Sequence, residues 1–251
     1  MKIDIHTHII PEVDDGALNM EQAEEMLKVS AGDGVGTIIL TPHYSKNLHD
    51  IIQQKAKELE EMASANGIKL LSGCEYDYTQ VVNQDDLITL GNNKFVLVDL
   101  YSTAAHRQLA FERVINNLTK TGFMFILAHP ERSFSRNDRK DLQTLREAGM
   151  YFQLSAACLL GEHGSTEQRN AHFLLRHGFG HYVATDVHYY RLQPKLLTRC
   201  EEMVTEKYGE KTAHILFYEN PERLLRGEPP LDIRPRRNII VHMCSMFGVW
   251  V

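Results

Sequence analysis

Seven short apolar runs alternate with amphipathic stretches along the chain. The runs are rich in β-branched and aromatic residues, and some, such as Thr37-Ile38-Ile39-Leu40, are apolar without interruption. Continuous apolarity suits strands buried on both faces, and alternation with helices indicates a parallel sheet. We predict strands at 2–6, 36–41, 68–74, 94–100, 123–128, 151–155 and 180–185.

Helical periodicity occupies the stretches between these runs. We predict helices at 20–32, 47–65, 106–121, 138–148 and 166–177, and a mainly helical segment at 191–226. Asn19 can cap the first helix, whose apolar face would carry Ala23, Met26 and Leu27. Because no domain-like linker interrupts the strand–helix units, we predict one α/β barrel rather than two lobes.

Histidine and carboxylate side chains stand at the ends of six of the seven predicted strands. They are His6, His8, His43, Glu75, Asp99, His129, Asp186 and His188. Catalytic groups of barrels lie at the carboxyl ends of the strands, so these side chains are expected to meet at one mouth. His6 and His8 point the same way along a strand, so both imidazoles can reach one cation. Oxygen and imidazole ligands without a thiolate suit manganese, iron or zinc.

Two acidic positions have an alternative explanation. Asp99 lies inside an apolar run, so its carboxylate needs a cation partner, which is either a metal or the other half of a buried salt bridge. Asp14-Asp15-Gly16 has the composition of a turn. A metal-binding role for this triplet rests on its closeness to His8.

Two arginines are candidates for phosphate binding. Arg132 follows His129 by three residues, and a guanidinium group matches phosphate oxygens in a bidentate fork. Its alternative is a surface ion pair with Glu131 or Asp138. Arg191 is either a second phosphate clamp or an ordinary arginine at a helix start.

Charge and cysteine content disfavour several classes of protein. The net charge of −6 gives no support for generic nucleic-acid binding, so phosphate recognition would need local cations or metals. The four cysteines have no CxxC spacing, which argues against a zinc ribbon or a disulfide framework. They also lack the Cys-x5-Arg loop of thiol phosphatases. Since no signal peptide precedes the first strand, a cytoplasmic location is expected.

The C-terminal segment differs from the rest of the chain. Arg234-Pro235-Arg236-Arg237 precedes a mostly apolar stretch at 239–251. This stretch is shorter than the roughly 20 residues that a bilayer crossing needs. It is either a loosely docked tail or a basic and apolar contact with a membrane surface. We predict a folded domain at 1–226 and a tail at 227–251.

Taken in order, the polar strand ends resemble those of the PHP (polymerase and histidinol phosphatase) superfamily. The matching motifs are Asp4-Ile5-His6-Thr7-His8-Ile9, Asp14-Asp15-Gly16, Thr41-Pro42-His43, Gly73-Cys74-Glu75, His129-Pro130-Glu131-Arg132 and Thr185-Asp186-Val187-His188. Within that superfamily they are most similar to the bacterial manganese-dependent protein-tyrosine phosphatases of capsule and exopolysaccharide operons. The resemblance covers residues 1–226, and the combination of motifs is far more specific than any one of them.

This resemblance implies a distorted (β/α)7 barrel that holds three divalent metals, with manganese foremost and iron or zinc as alternatives. It assigns His6, His8 and Asp186 to one metal, Glu75 as a bridge to a second, Asp99 and His129 to that second metal, and Asp15, His43 and His188 to the third. Arg132 would grip the phosphate with help from Arg191, while metal-activated hydroxide attacks phosphorus. Two departures stand out: Asp99 replaces the usual glutamate, and the loop after His188 is short.

The resemblance also implies a partner, the phosphorylated tyrosine-rich tail of a membrane-associated tyrosine autokinase of surface polysaccharide synthesis. Two alternatives remain open at this point. One is a PHP phosphatase for a small phosphate monoester such as histidinol phosphate, and the other is a non-catalytic metal-binding module that docks another protein. An exonuclease accessory domain is disfavoured by the acidic charge. The sequence leaves open whether the chain forms oligomers.

Overall fold

The computed structural model describes residues 1–45, 48–81, 87–100 and 122–233. Within these ranges strands and helices alternate, as predicted. The strands are β1 Lys2–Thr7, β2 Val35–Leu40, β3 Lys69–Ser72, β4 Glu75–Asp77, β5 Phe95–Asp99, β6 Met124–Ala128, β7 Tyr151–Ser155 and β8 Tyr182–Ala184. Every strand pairing is parallel, which confirms the predicted mixed α/β class.

The helices also follow the prediction closely. They are α1 Met20–Gly32, α2 Leu48–Ala65, α3 Tyr78–Val81, α4 Arg139–Glu147, α5 Ala156–Leu160, α6 Ser165–Arg176, α7 Leu196–Tyr208, α8 Glu210–His214 and α9 Asn220–Leu225, with a π-helical turn at Ile215–Glu219. Asn19 caps α1 by accepting a hydrogen bond from the Gln22 amide, as predicted. The short helices α3 and α5 were not predicted. The predicted helix at 106–121 lies outside the described residues.

The predicted strand at 68–74 is wrong in its extent. β3 ends at Ser72 and a separate strand, β4, begins at Glu75. Between them, a Cβ on Gly73 would lie 2.8 Å from side-chain atoms of Ile39 and Leu90, so the chain passes too close to its neighbours for any larger residue. The break transfers the chain from one sheet to another, and Glu75 therefore begins a strand instead of ending one.

The hydrogen-bonded strands form two parallel sheets. The first has the order β1-β2-β3 and the second has the order β4-β5-β6-β7-β8. Two isolated parallel bridges link the sheets, Thr7 with Val187 and His43 with Glu75. In the described ranges these ladders do not close into a continuous barrel, so the (β/α)7 barrel stays a prediction.

Alternate strand residues supply two apolar clusters. In β5, Phe95 and Leu97 belong to a smaller cluster, while Val96 and Val98 belong to a larger one that also contains helix residues. The smaller cluster takes residues from both sheets, including Ile39 of β2. The strands are therefore buried on both faces, as their continuous apolar sequences predicted. None of the described helices combines the length and the apolarity that a bilayer crossing requires.

The chain continues on the surface of this body after α9. Ile233 is buried, and the carboxylate of Asp232 lies 2.8 Å from Arg146 and 3.3 Å from His181. These contacts hold the first residues of the predicted tail against the folded body. The remainder of the tail, 234–251, lies outside the described residues, and so do its predicted membrane contact and Cys244.

Candidate metal centre

Strand β1 and the residue after it supply two buried imidazoles. Side chains alternate along a strand, so His6 and His8 project to the same side. Their Nε2 atoms lie 3.1 Å apart, and neither side chain is exposed to solvent. This separation confirms the geometric prediction that both rings can face one point.

Three groups of candidate ligands form around this pair. Among the residues that the structure describes, the groups are His6, His8 and Asp186; His6, Glu75 and His129; and His8, Asp15, His43 and His188. Within each group the ligand atoms lie within 4.8 Å of one another. The structure therefore brings together eight of the nine predicted metal ligands, from loops and strands of both sheets.

Glu75 occupies the centre of the cluster. Its Oε1 lies 2.9 Å from Nε2 of His129, and its Oε2 lies 2.9 Å from Nδ1 of His43. The same Oε2 is 3.4 Å from His6 and 3.5 Å from His8. Since β4 begins at Glu75, the break in the predicted strand places this carboxylate at the junction of the two sheets.

The loop after β1 positions further groups through Asp14. Its Oδ2 lies 2.7 Å from Nδ1 of His8 and accepts a hydrogen bond from the amide of His43, while its Oδ1 accepts one from Gly16. Asp15 points towards the cluster, with Oδ1 3.5 Å from His43 and 3.2 Å from His188. Asp14 thus orients two of the candidate ligands and fixes the turn that presents Asp15.

Two candidate ligands lie in strained backbone. His129, after β6, has φ of 28°, and Asp186, after β8, has φ of 52°. Residues with a side chain rarely adopt this left-handed region, and such strain is concentrated at functional sites. The amide of Asp186 donates to the carbonyl of His6, which fixes the strained residue against β1.

Asp99 lies beside the cluster but at its edge. Its Oδ1 is 3.9 Å from Nδ1 of His129, and it belongs to none of the three groups. Burial and the charge of Glu75 raise the pKa of Asp99, while His129 opposes that rise. The short aspartate side chain therefore stops short of the contacts that the other eight predicted ligands make.

The two arginines that were predicted to bind phosphate make different contacts in the structure. Arg132 donates to the carboxylate of Asp186, a contact that was not predicted from the sequence. Arg191 lies 3.2 Å from Nε2 of His163 and 5.1 Å from the ring centre of Tyr190. Asp186, His163, Tyr190 and Arg191 line one cavity of about 420 Å³, so Arg191 faces the space next to the cluster.

Sequence reasoning missed two further supporting residues. Oε1 of the fully buried Gln153 lies 3.0 Å from Nδ1 of His6. Asp4, also fully buried, accepts hydrogen bonds from the amide and hydroxyl of Thr185. A signal for Gln153 exists in the sequence, because it is the one amide side chain within the buried strand β7.

Comparison of the sequence with models of protein families shows which family carries this arrangement of side chains. The sequence model of the family described as capsular polysaccharide synthesis, CpsB/CapC, matches residues 2–226. The chain belongs to the CpsB/CapC family. The predicted resemblance to phosphatases of capsule operons is thereby confirmed at the level of the family.

Relatives of this CpsB/CapC chain match it over nearly its whole length. Tyrosine-protein phosphatase CpsB of Streptococcus pneumoniae is 28% identical over 242 residues, which cover 90% of this chain and 99% of the relative. Tyrosine-protein phosphatase YwqE of Bacillus subtilis strain 168 is 28% identical over 251 residues, with 94% and 98% covered. A crystal structure from work on YwqE and CpsB, called unique metal-dependent tyrosine phosphatases, aligns with a TM-score of 0.75 and 25% identity over 94% of this chain and 98% of that one.

Burial and mutual contacts shift the pKa values in the CpsB/CapC site. Burial opposes ionisation of Glu75, but the neighbouring histidines hold its pKa well below the ordinary value. Burial likewise opposes the charge on His129, yet the hydrogen bond with Glu75 raises its pKa to about 9. The raised pKa of His129 favours its charged form beside Glu75, and a metal that binds His129 must displace that proton.

The donor set of the CpsB/CapC site fits divalent metal ions. Oε2 of Glu75 is buried and has no hydrogen bond of good geometry, although three imidazole rings lie within 3.5 Å of it. A buried carboxylate oxygen without a donor is costly, and a cation among these groups removes that cost. Imidazole and carboxylate are ligands that manganese, iron and zinc share.

Proposed function

We propose that this chain is a metal-dependent protein-tyrosine phosphatase of capsular or exopolysaccharide synthesis. One observation supports this above all: eight imidazole and carboxylate side chains converge in three overlapping groups, and Arg132 reaches the edge of that cluster. Metals and a guanidinium group around one point suit the displacement of a phosphoryl group. The relatives CpsB and YwqE are tyrosine-protein phosphatases, which agrees with this chemistry.

The assignment of ligands is the one that the family resemblance implies. It differs from the three groups, because Asp99 takes the place of His6 at the second metal and His8 is left out of the third. We assign His6, His8 and Asp186 to one metal; Glu75, His129 and Asp99 to a second, with Glu75 bridging; and Asp15, His43 and His188 to a third. Bound divalent metals lower the pKa of coordinated water and offset negative charge on phosphoryl oxygens. Manganese is our proposed ion, with iron and zinc as alternatives, because oxygen and imidazole donors suit all three.

The side chains of the protein bind and orient the substrate. The Nε of Arg132 is buried and has no hydrogen-bond partner among the described residues. Arg132 donates to Asp186 through Nη2, and its guanidinium group is proposed to bind a phosphoryl oxygen as well. Arg191, which contacts His163 and Tyr190, faces the neighbouring cavity and is proposed to assist. The leaving group is a phenol with a pKa near 10, so it departs with less help from a proton donor than an alkoxide needs.

The same proposal includes the fold of the domain, its location in the cell, its partner and its C-terminal tail. The two sheets share one apolar cluster and meet at two bridges, which supports a distorted (β/α)7 barrel formed by residues 1–226. We place the enzyme in the cytoplasm, and we propose the phosphorylated tail of a tyrosine autokinase as its partner. Residues 227–251 would form the tail that follows the domain.

Metal depletion tests the proposal directly. Purified protein treated with EDTA should lose hydrolysis of p-nitrophenyl phosphate and of a phosphotyrosyl peptide, and Mn²⁺ should restore both. Thiol alkylation should leave activity unchanged, because Cys74, Cys158 and Cys200 are buried and play no part in the site. Full activity after rigorous chelation would contradict the proposal. Efficient hydrolysis of histidinol phosphate with none of the phosphopeptide would assign the enzyme to small monoesters.

A further inference from the structure

A groove lined by arginines lies between α6 and the turn before α4. It has a volume of about 440 Å³, and its walls include Arg136, Arg169, Phe173, Arg176 and His177. Arg136 comes from the turn before α4, while the other four residues follow one another along α6 and its end. No acidic side chain is present among the described residues that line it.

None of the described residues neutralises the charges of this arginine groove. Arg136, Arg169 and Arg176 make no ion pair within the described ranges, although the chain as a whole carries a net charge of −6. Elsewhere arginines do pair with acids, for example Arg146 with Asp232 and Arg199 with Glu162. Three unpaired guanidinium groups around one concavity indicate a site for negative charge.

Contacts within α6 leave these arginines able to bind an external anion. Arg169 donates to Ser165 and Thr166 of its own helix, and Nε of Arg176 donates to the carbonyl of His172. Both residues remain exposed, and no buried carboxylate holds either of them. An acidic ligand would therefore add charge-assisted hydrogen bonds without displacing an internal ion pair.

The spacing of the arginines fits a chain of anionic groups. Arg169 and Arg176 are separated by two helical turns, which is about 10 Å at 1.5 Å per residue. About three residues of an extended peptide span that separation, since each residue adds roughly 3.3 Å, so one peptide can offer an acidic side chain to each arginine. Phe173 lies between the two arginines and offers an apolar surface for the stems of such side chains.

The groove is also close to the proposed phosphate-binding arginine. Arg136 follows Arg132 by four residues, so their Cα atoms are at most about 14 Å apart. The side-chain amide of Asn170, another groove residue, donates to the carbonyl of Glu131 at 3.0 Å. This bond connects α6 directly to the turn that carries Arg132. A peptide whose phosphotyrosine reaches Arg132 and whose backbone runs towards Arg136 can therefore reach the groove within about four residues.

We propose that the arginine groove binds an acidic segment of the phosphotyrosyl peptide. Carboxylate or phosphoryl side chains near the phosphotyrosine contact Arg136, Arg169 and Arg176. The inference rests on the proposed phosphatase function and adds the class of substrate to it: peptides with acidic flanks. The contribution is to binding, so it lowers KM and leaves kcat unchanged.

The test compares two phosphotyrosyl peptides that differ in their flanks, one with glutamates three to five residues from the phosphotyrosine and one with glutamines. Wild-type enzyme should have a KM roughly tenfold lower for the glutamate peptide, since each exposed charge pair contributes a factor of about two to five. The preference should disappear at about 1 M salt, where screening acts over about 3 Å. The R136Q/R169Q variant should lose the preference at low salt and keep its activity on p-nitrophenyl phosphate.

The matched control removes two charges from a neighbouring surface. Arg139 and Lys140 are exposed, follow Arg136 closely in the chain and do not line the groove. The R139Q/K140Q variant should keep the preference for the glutamate peptide. An equal loss in both double variants, or no preference in the wild type, would overturn the proposal.

A binding measurement separates the groove from catalysis. A fluorescein-labelled glutamate peptide without phosphate should bind the metal-loaded protein, as followed by anisotropy, and R136Q/R169Q should weaken that binding roughly tenfold. Tighter binding of an oligothymidylate than of the peptide would overturn the assignment to peptides. If no phosphopeptide is hydrolysed while the labelled peptide still binds through the groove, the phosphatase proposal fails and the groove remains an acidic-peptide site.

Discussion

Arg132 contacts a carboxylate that also faces two imidazoles of the cluster. Asp186 lies 3.4 Å from both His6 and His8, and Arg132 donates to its other oxygen. Arg132→Ala should therefore reduce kcat for p-nitrophenyl phosphate by roughly 100-fold, the scale expected for one donor to a developing charge. Arg132→Lys should recover only part of the rate, because an ammonium group lacks the planar fork.

The Arg132 experiment needs a measure of metal content alongside the rate. Bound manganese should remain close to the wild-type value in Arg132→Ala, because the side chain is not a proposed ligand. Arg136→Gln is the matched control and should hydrolyse p-nitrophenyl phosphate normally. Near-normal turnover by Arg132→Ala would refute the role given to this residue.

Asp99 offers a second prediction at this scale. Its carboxylate stops 3.9 Å from His129, and a glutamate would extend it by one C–C bond, about 1.5 Å. Asp99→Glu should therefore lower the manganese concentration for half-maximal activity several-fold, and Asp99→Asn should raise it. A titration of activity against free metal measures both changes. Identical curves for the two variants would show that Asp99 contributes nothing to metal binding.

The sequence predicted which residues form the site better than it predicted which residues hydrogen-bond to them and orient them. Histidines and acids at strand ends were visible as a pattern, and eight of the nine meet in the structure. The function of Asp14 was not visible, because two adjacent aspartates in a turn do not reveal which one points at His8. The contact of Arg132 with Asp186 was not predicted, because Asp186 is distant in the chain and only the fold brings it near.

At the scale of elements, the loop between β1 and α1 depends on one close approach. A Cβ on Gly16 would lie 1.9 Å from the carbonyl oxygen of His8, a distance that no rotation of a side chain can relieve. Gly16→Ala should therefore destabilise the protein by about 1–3 kcal/mol, as overpacking does, and displace Asp15 from the cluster. Urea denaturation and metal analysis of the purified variant measure the two effects.

Gly32→Ala is the matched control for that substitution. Gly32 ends α1, and nothing lies within 4 Å of the Cβ that alanine would add. This variant should be as stable as the wild type or slightly more so, because alanine favours helix. If both variants had the same free energy of unfolding, the close approach at Gly16 would not contribute to the stability of the protein.

Periodicity predicted the elements that are long and regular. The bounds of α1 matched the prediction at both ends, since a cap at Asn19 and an apolar face define that helix locally. The division of the strand at 68–74 did not follow from periodicity, because nothing in the local pattern of those residues marks a break. The cause of the break is tertiary contact at Gly73, and local sequence does not report such contacts.

At the scale of the whole molecule, the candidate ligands come from both sheets, so metal binding should stabilise the fold. An ion at about 100 times its dissociation constant contributes about 2.7 kcal/mol. For a chain of this length that is a rise in Tm of roughly 5–10 °C. Differential scanning calorimetry with and without Mn²⁺ measures the shift. Glu75→Gln, which removes the central charge, should largely abolish it.

The same stabilisation should depend on pH. Burial opposes the charge on His129, but Glu75 raises its pKa to about 9, so its proton stabilises the metal-free fold at low pH. That contribution is complete below about pH 6.5, the ordinary value, and disappears as the pH rises towards 9. Metal replaces the proton, so the Mn²⁺-dependent rise in Tm should be larger at pH 8 than at pH 6. Equal shifts at both pH values would contradict the assignment of His129.

The two isolated bridges give the molecule a particular weak point. Thr7 lies between His6 and His8, its bridge partner Val187 lies between Asp186 and His188, and the other bridge joins His43 to Glu75. Each seam between the sheets is therefore bordered by the groups that would hold the ions. A small separation of the two sheets at either bridge would move these donors apart. Mild heating should therefore abolish catalytic activity at a temperature well below the Tm of the protein. The concentration of free metal would then determine how long the enzyme stays active as well as its rate.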